Sequence, residues 1–152
     1  MDLLLFTGLQ AAGKSTFYQT HFAASGDYVY VSKDRLRNSA HPERRQRELI
    51  AAALAAGRSV VVDNTNPSDV ERAPLIALGK AHGATVSGYF FEPAVGASLE
   101  RNRQRVGKAR VPDVAIFATR KRLTPPTYAE GFDHLYVVSI SEPGTFLVRK
   151  LP

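Results

Sequence analysis

The residues Gly8-Leu9-Gln10-Ala11-Ala12-Gly13-Lys14-Ser15 have the spacing G-x-x-x-x-G-K-[ST], directly after the apolar run Leu3-Leu4-Leu5-Phe6 and before a stretch with helical character. That context, strand then glycine-rich turn then helix, is what a phosphate-binding loop requires. Gly8 and Gly13 free the backbone to aim successive N–H groups inward, and the helix N-terminus adds partial positive charge at the same place. The loop residues Gln10, Ala11 and Ala12 are then expected to wrap the phosphates of ATP. Lys14 should reach the β and γ phosphates, Ser15 should ligate Mg²⁺, and Thr16 should contact the α phosphate.

Three further constellations bear on what the nucleotide is used for. Ser32-Lys33-Asp34-Arg35-Leu36-Arg37 follows the strand-like Tyr28-Val29-Tyr30-Val31. Ligands of parallel α/β sheets bind at the carboxyl ends of strands, so Asp34 can take a proton from an acceptor hydroxyl while Arg37 grips an acceptor phosphate. The same two residues would also suit a short helix cap with an ion pair three residues apart. Val60-Val61-Val62-Asp63 ends in a carboxylate resembling a Walker B residue, positioned to hold Mg²⁺ directly or through water. Thr65 and Asn66 extend it as a polar loop towards the acceptor, although turn chemistry alone could explain Asn66-Pro67. Finally Arg101, Arg103, Arg105, Lys108 and Arg110 place five of the chain's 20 basic residues within ten positions. Arg101 and Arg105, four apart, should share a helix face, and with Gly107 as hinge they have the layout of an arginine lid over the donor phosphates.

The elements that must position these groups follow from the hydrophobic pattern. Short β-branched or apolar runs at 3–6, 28–31, 59–62, 85–91 and 135–140 alternate with helical stretches at 14–21, 42–56, 68–81, 94–106 and 112–123. This predicts an α/β fold with a five-stranded parallel sheet and helices on both faces. The glycine-rich loop and the arginine-rich late helix together make it look like a P-loop kinase scaffold with a helical lid. Ser68 and Glu71 have capping-box spacing, but Pro74 predicts a kink or a later start for that helix. Residues 107–111 read as a mobile connection, and the tail 145–151 as either an extra strand or a strap.

With 152 residues, 44% of them hydrophobic, the chain is expected to form one domain over 1–152. It has no cysteine, and its apolar N-terminal run is too short for a signal peptide or a membrane span, which predicts a cytoplasmic location. Twenty Lys and Arg against 14 Asp and Glu leave a net charge of +6, suited to a polyanionic partner. A second basic cluster, Lys33, Arg35, Arg37, Arg44, Arg45 and Arg47, flanks the proposed acceptor side. The Asn-Lys-x-Asp tetrapeptide of switch GTPases is absent.

Taken together, Gly8 to Thr16, Asp34 with Arg37, Asp63 to Pro67, and Arg101 with Arg105 resemble the kinase domain of polynucleotide 5′-hydroxyl kinases of the bacteriophage and animal DNA-repair type. Pro126-Thr127-Tyr128-Ala129-Glu130-Gly131-Phe132 is similar to the animal enzymes as well. The resemblance runs from Leu3 to Ile140. It implies Asp34 as general base, Arg37 on the acceptor phosphate, Asp63, Thr65 and Asn66 on the acceptor side, Lys14 and Ser15 on ATP and Mg²⁺, and both lid arginines on the donor. It implies a 5′-OH end of DNA or RNA as substrate, with a repair ligase or phosphatase on a separate chain as partner. The Asp-x-Asp-x-Thr motif of the family's phosphatase domains does not occur here, so a kinase without a phosphatase module is expected. Relatives of the same scaffold phosphorylate small metabolites. That reading, and a non-catalytic ATP-gated binding module, are the alternatives; Asp34 argues against the latter, since a sensor needs no base.

Overall fold

The computed structural model describes all residues 1–152. In chain order the strands are β1 (Asp2–Thr7), β2 (Tyr28–Val31), β3 (Ser59–Asp63), β4 (Thr85–Phe91), β5 (His134–Glu142) and β6 (Thr145–Lys150). The helices are α1 (Lys14–His21), α2 (Pro42–Ala55), α3 (Asp69–Ala81), α4 (Val95–Arg103) and α5 (Asp113–Arg122). They build one sheet of order β2-β3-β1-β4-β5-β6. The first five strands are parallel, as expected; β6 adds a sixth strand antiparallel to β5.

Helices cover both faces because β1 is apolar at every position from Leu3 to Phe6 and β3 from Val60 to Val62, not at alternate ones. Leu3, Leu5, Val60 and Val62 pack with Ile50 and Leu54 of α2 and with Leu75 and Ile76 of α3. Leu4, Phe6 and Val61 face the opposite way, against Phe17 of α1 and Ile116 of α5. Truncating a buried leucine such as Leu3 or Leu5 costs about 2 to 5 kcal/mol, so this central pair of strands is the rigid base of everything at its carboxyl end.

From β1 the chain first moves to one side (β2, β3) and then to the other (β4, β5). The strand order therefore reverses beside β1, and the ligand crevice of an open α/β sheet lies at such a reversal. The loop after β1, the turn after β2 and the end of β3 all open into it.

Two boundaries differ from expectation. α3 runs without a late start from Asp69, capped by Ser68, whose Oγ accepts from the Glu71 N–H at 3.3 Å. Pro74 is tolerated inside it because it sits on the exposed face, where the carbonyl it leaves without a donor can meet water. α4 stops at Arg103 instead of Val106. The cause is Asn102, fully buried, whose side chain bonds both the N–H (3.0 Å) and the carbonyl (2.7 Å) of Val111 and so turns the chain back on itself. Residues 107–111, expected as a mobile connection, form a short 3₁₀ turn at Gly107–Ala109 that Asn102 ties down. No helix is long and apolar enough to cross a membrane.

Candidate functional site

The loop between β1 and α1 is held open by backbone geometry. Ala11 (φ 56°) and Gly13 (φ 89°) both lie in the left-handed region, which turns neighbouring N–H groups towards a common centre. A Cβ on Gly8 would come within 2.8 Å of Phe91 Cβ, so only glycine fits that approach. Gly13 is backed from behind by Phe146 of β6, 3.3 Å from where its Cβ would stand, and the tail strand thereby buttresses the loop. Across the cleft the Gly8 N–H donates to the Thr65 carbonyl at 3.0 Å.

Lys14 is buried, its ammonium donating to the carbonyls of Gly8 (3.1 Å) and Leu9 (2.6 Å). Burial pushes its pKa down to about 8; the Asp63 carboxylate opposes that shift and the Arg105 guanidinium reinforces it. Asp63 is itself buried, and loss of water raises its carboxyl above the usual range, against the pull of Lys14 and a hydrogen bond from the Tyr30 hydroxyl. Lys14 and Asp63 thus hold opposite charges in a site that disfavours either alone.

The turn after β2 is a 3₁₀ helix, Lys33–Leu36, capped by Ser32, whose Oγ accepts from the Asp34 N–H at 3.3 Å. The cap is therefore Ser32, and the Asp34 side chain is left 82% exposed at the cleft mouth, 3.4 Å from Arg37 Nη2. Arg37 also donates to the Lys108 carbonyl at 2.9 Å, joining this turn to the 107–109 segment across the opening. A cleft of about 350 Å³ lies between, with Lys14, Ser15, Asp34, Arg37, Asp63 and Arg105 in its walls.

Other expected site residues are dispersed. Asn66 is buried with a φ of 39°, and its amide donates to the Phe6 carbonyl at 2.8 Å, so its NH₂ group fastens the β3–α3 loop to β1 and is not offered to a ligand. Thr65 does line the cleft; Thr16 lies on the exposed first turn of α1, outside the cleft wall. Arg105 stands beyond the end of α4, so the expected shared helix face with Arg101 does not form. Arg101 donates to the Ala11 carbonyl at 2.7 Å, clamping the phosphate-binding loop, while Arg105 reaches the cleft with one long hydrogen bond, 3.4 Å, to Ala109.

Sequence reasoning missed Tyr30. Its ring packs on Tyr18 of α1 (4.4 Å between centroids), carries the Arg35 guanidinium on it (4.4 Å), and its hydroxyl holds Asp63. One aromatic residue thus links the helix behind the phosphate loop, the Asp34 turn and the buried carboxylate. The pattern Tyr-Val-Tyr reads as an ordinary strand, and nothing in it marks the hydroxyl. Buried Arg72 was missed as well; it forms a bidentate pair with Glu130 (2.8 and 3.1 Å) and donates to the Asn66 and Thr124 carbonyls, fixing the β3–α3 loop from below.

No group of three or more His, Cys, Asp or Glu stands together. Mg²⁺ does not need one: it commonly keeps several waters and binds one or two protein oxygens plus nucleotide phosphates. The Ser15 hydroxyl and the Asp63 carboxylate, both in the cleft wall, fit that donor set.

A family model described as an AAA domain, AAA_33, matches residues 3–126. A protein of Acanthamoeba polyphaga mimivirus, assigned as a bifunctional polynucleotide phosphatase/kinase, is 28% identical over 144 residues, which is 91% of this chain and 33% of that protein. The bifunctional polynucleotide phosphatase/kinase of Schizosaccharomyces pombe is 24% identical over 137 residues, 88% of this chain and 32% of the relative. This chain therefore spans about a third of the length of these relatives. Among solved structures, a chain of the Pnkp1/Rnl/Hen1 RNA repair complex superposes with a TM-score of 0.70 at 25% identity, covering 80% of this chain and 43% of that one. A gluconokinase from Sinorhizobium meliloti 1021 superposes at 0.67 with 19% identity, covering 94% and 85%, a likeness of fold.

Proposed function

Because the chain belongs to the AAA_33 family and carries a P-loop kinase fold, we propose that it is a phosphotransferase that moves the γ-phosphate of ATP to the 5′-hydroxyl of a polynucleotide. The observation that carries this reading is the Asp34–Arg37 pair, exposed at the mouth of the same cleft whose floor holds Lys14. The names of the mimiviral and yeast relatives favour a nucleic-acid acceptor over a sugar.

In this reading Arg37 exchanges its contacts for the phosphate on the 3′ side of the terminal nucleoside and so brings the 5′-hydroxyl to Asp34. The hydroxyl oxygen forms a bond to the γ-phosphorus as the bond from that phosphorus to the bridging oxygen breaks, releasing ADP. Asp34 receives the hydroxyl proton and passes it to water. Lys14 swings from the Gly8 and Leu9 carbonyls onto the β and γ phosphates, and Arg105 meets the charge that builds on the transferred group. Mg²⁺, held through Ser15 and Asp63, would neutralise phosphate charge when bound.

Transfer of label from γ-labelled ATP is the direct test, across 5′-OH oligonucleotides, nucleosides, nucleoside 3′-monophosphates and sugars. Labelled oligonucleotides with little label on free nucleosides and sugars are expected. Label on gluconate or another sugar alone would make this a metabolite kinase; label on nothing, with ATP still bound, would leave a nucleotide-gated binding module.

Lys14→Ala is expected to lower turnover by at least about 10² to 10³, the usual cost of one lost charge-stabilising donor, without moving the thermal melt much. In the unmodified protein ATP affinity should be flat below pH 8 and weaken above it. A lysine lowered to about 8 is charged below that value and loses its proton as pH rises through it. ATP titrations at pH 7, 8 and 9 read this out; constant affinity to pH 9 would mean Lys14 does not bind the phosphates as an ammonium.

A further inference from the structure

Beside the cleft runs a second groove of about 230 Å³, below the size usual for an independent small-molecule site, and the two share Lys33 and Thr65 in their walls. It is thus an extension of the first. Arg47 of α2 and Arg122 at the end of α5 line it together with the buried Gln46.

The chemistry of these groups points to one ligand class. Arg47 makes no ion pair, in contrast to Arg44 and Arg45 of the same helix, which both pair with Glu48. Gln46 is only 2% exposed; its Oε1 accepts from Asn64, but its NH₂ group has no acceptor in the protein. That NH₂ group is not fully enclosed and opens to the groove, where it is free to donate to a ligand. Lys33 and Arg122 are paired with Glu43 (2.7 Å) and Glu71 (2.9 Å), but all four side chains are at least 38% exposed, and such pairs yield readily to a phosphate. No aromatic side chain lines the groove.

Building on the proposed polynucleotide acceptor, we infer that this groove carries the second nucleotide of the acceptor strand, binding the phosphate on its 3′ side through Arg47, Arg122 and Gln46 without reading its base. Arginine suits the role because its planar fork matches phosphate oxygens. Without a stacking ring or a base-edge reader, the groove positions the strand and imposes no sequence. It distinguishes a polynucleotide from a mononucleotide: the first phosphate goes to Arg37, the next one here.

The probes are a nucleoside 3′-monophosphate and 5′-OH di- and trinucleotides, assayed for phosphate transfer and, with a 3′-fluorophore on the trinucleotide, for equilibrium binding across a salt series. We expect kcat/KM to rise about tenfold from the dinucleotide, whose single phosphate is the one given to Arg37, to the trinucleotide, which adds a second. In an Arg47→Ala/Arg122→Ala double variant that step should shrink below about threefold. The slope of log affinity against log salt should flatten by about 0.7 for each strand phosphate that the variant no longer neutralises. Arg44→Ala, which removes a charge from the same helix outside the groove, should preserve the step, and changing the second base should alter rates less than about threefold. A length step that survives the double variant, an equal loss on all acceptors, or a strong second-base preference would each overturn the groove assignment. Transfer to oligonucleotides with no length step overturns the groove and leaves the kinase reading standing. Salt-dependent trinucleotide binding that the double variant weakens, with no transfer to any 5′-hydroxyl, does the reverse. Neither binding nor transfer defeats both.

Discussion

Arg105→Ala should lower single-turnover phosphate transfer by about 10³ to 10⁵, the range of arginines that meet charge on a transferred phosphoryl group, while ATP affinity changes only a few-fold. Arg105 is in the cleft wall, and its charge is felt at both Lys14 and Asp63. The one hydrogen bond of its side chain, to the Ala109 carbonyl at 3.4 Å, is long and readily given up. Arg101 behaves differently. Its bond to the Ala11 carbonyl is short, 2.7 Å, and its guanidinium is depressed by burial first and by Arg105 second. Removing it releases the phosphate-binding loop, so Arg101→Ala should mainly weaken ATP binding. The expectation that the two arginines act as a unit on one helix face is thereby revised, because α4 ends between them. Stopped-flow or quench measurements of the transfer step, with ATP affinity measured separately, decide it. Equal losses of both quantities in both variants would restore the single unit; an Arg105 variant within about tenfold of wild type would remove Arg105 from the chemistry.

The parts legible in the sequence were those encoded locally. A strand, a glycine turn and a helix N-terminus are contiguous at residues 3–21, and their spacing alone specified the phosphate loop. The valine run 60–62 placed Asp63 at a strand end for the same reason. What escaped depended on distant partners. The polar loop of Asn66 is local and readable, whereas the Phe6 carbonyl that holds its amide is 60 residues away. The early end of α4 comes from the Asn102 bonds to Val111, which helical periodicity does not register. The sixth strand had a readable signal: Pro143-Gly144, with Gly144 at φ 80°, is the turn that returns β6 against β5. Its importance, packing Phe146 behind Gly13, was visible only in three dimensions.

Asp34→Asn should reduce turnover by about 10² to 10⁴ with ATP affinity nearly unchanged, since the amide keeps the size and the contact with Arg37 but cannot accept a proton. The exposed Asp34 carboxylate is free to approach an incoming hydroxyl, while the Asp63 carboxylate is buried and engaged by Tyr30. In the proposed mechanism the two acids therefore have different tasks. Asp63→Asn retains an oxygen for the Tyr30 hydroxyl, so the fold should persist, but it removes the negative charge that most supports the Lys14 ammonium. With that support gone, the Lys14 pKa falls further below 8, and the alkaline loss of ATP affinity should begin at lower pH. Its Mg²⁺ requirement should also rise, as expected for a lost metal-shell oxygen. Turnover, ATP affinity and acceptor affinity for both variants, across Mg²⁺ concentration and from pH 6 to 9, separate the roles. Should Asp34→Asn stay within about tenfold of wild type, less than a lost general base costs, the Asp34–Arg37 pair serves only to shape the turn after β2. An Asp63 variant with an unshifted alkaline limb and unchanged Mg²⁺ dependence would show that its charge acts on neither Lys14 nor the metal.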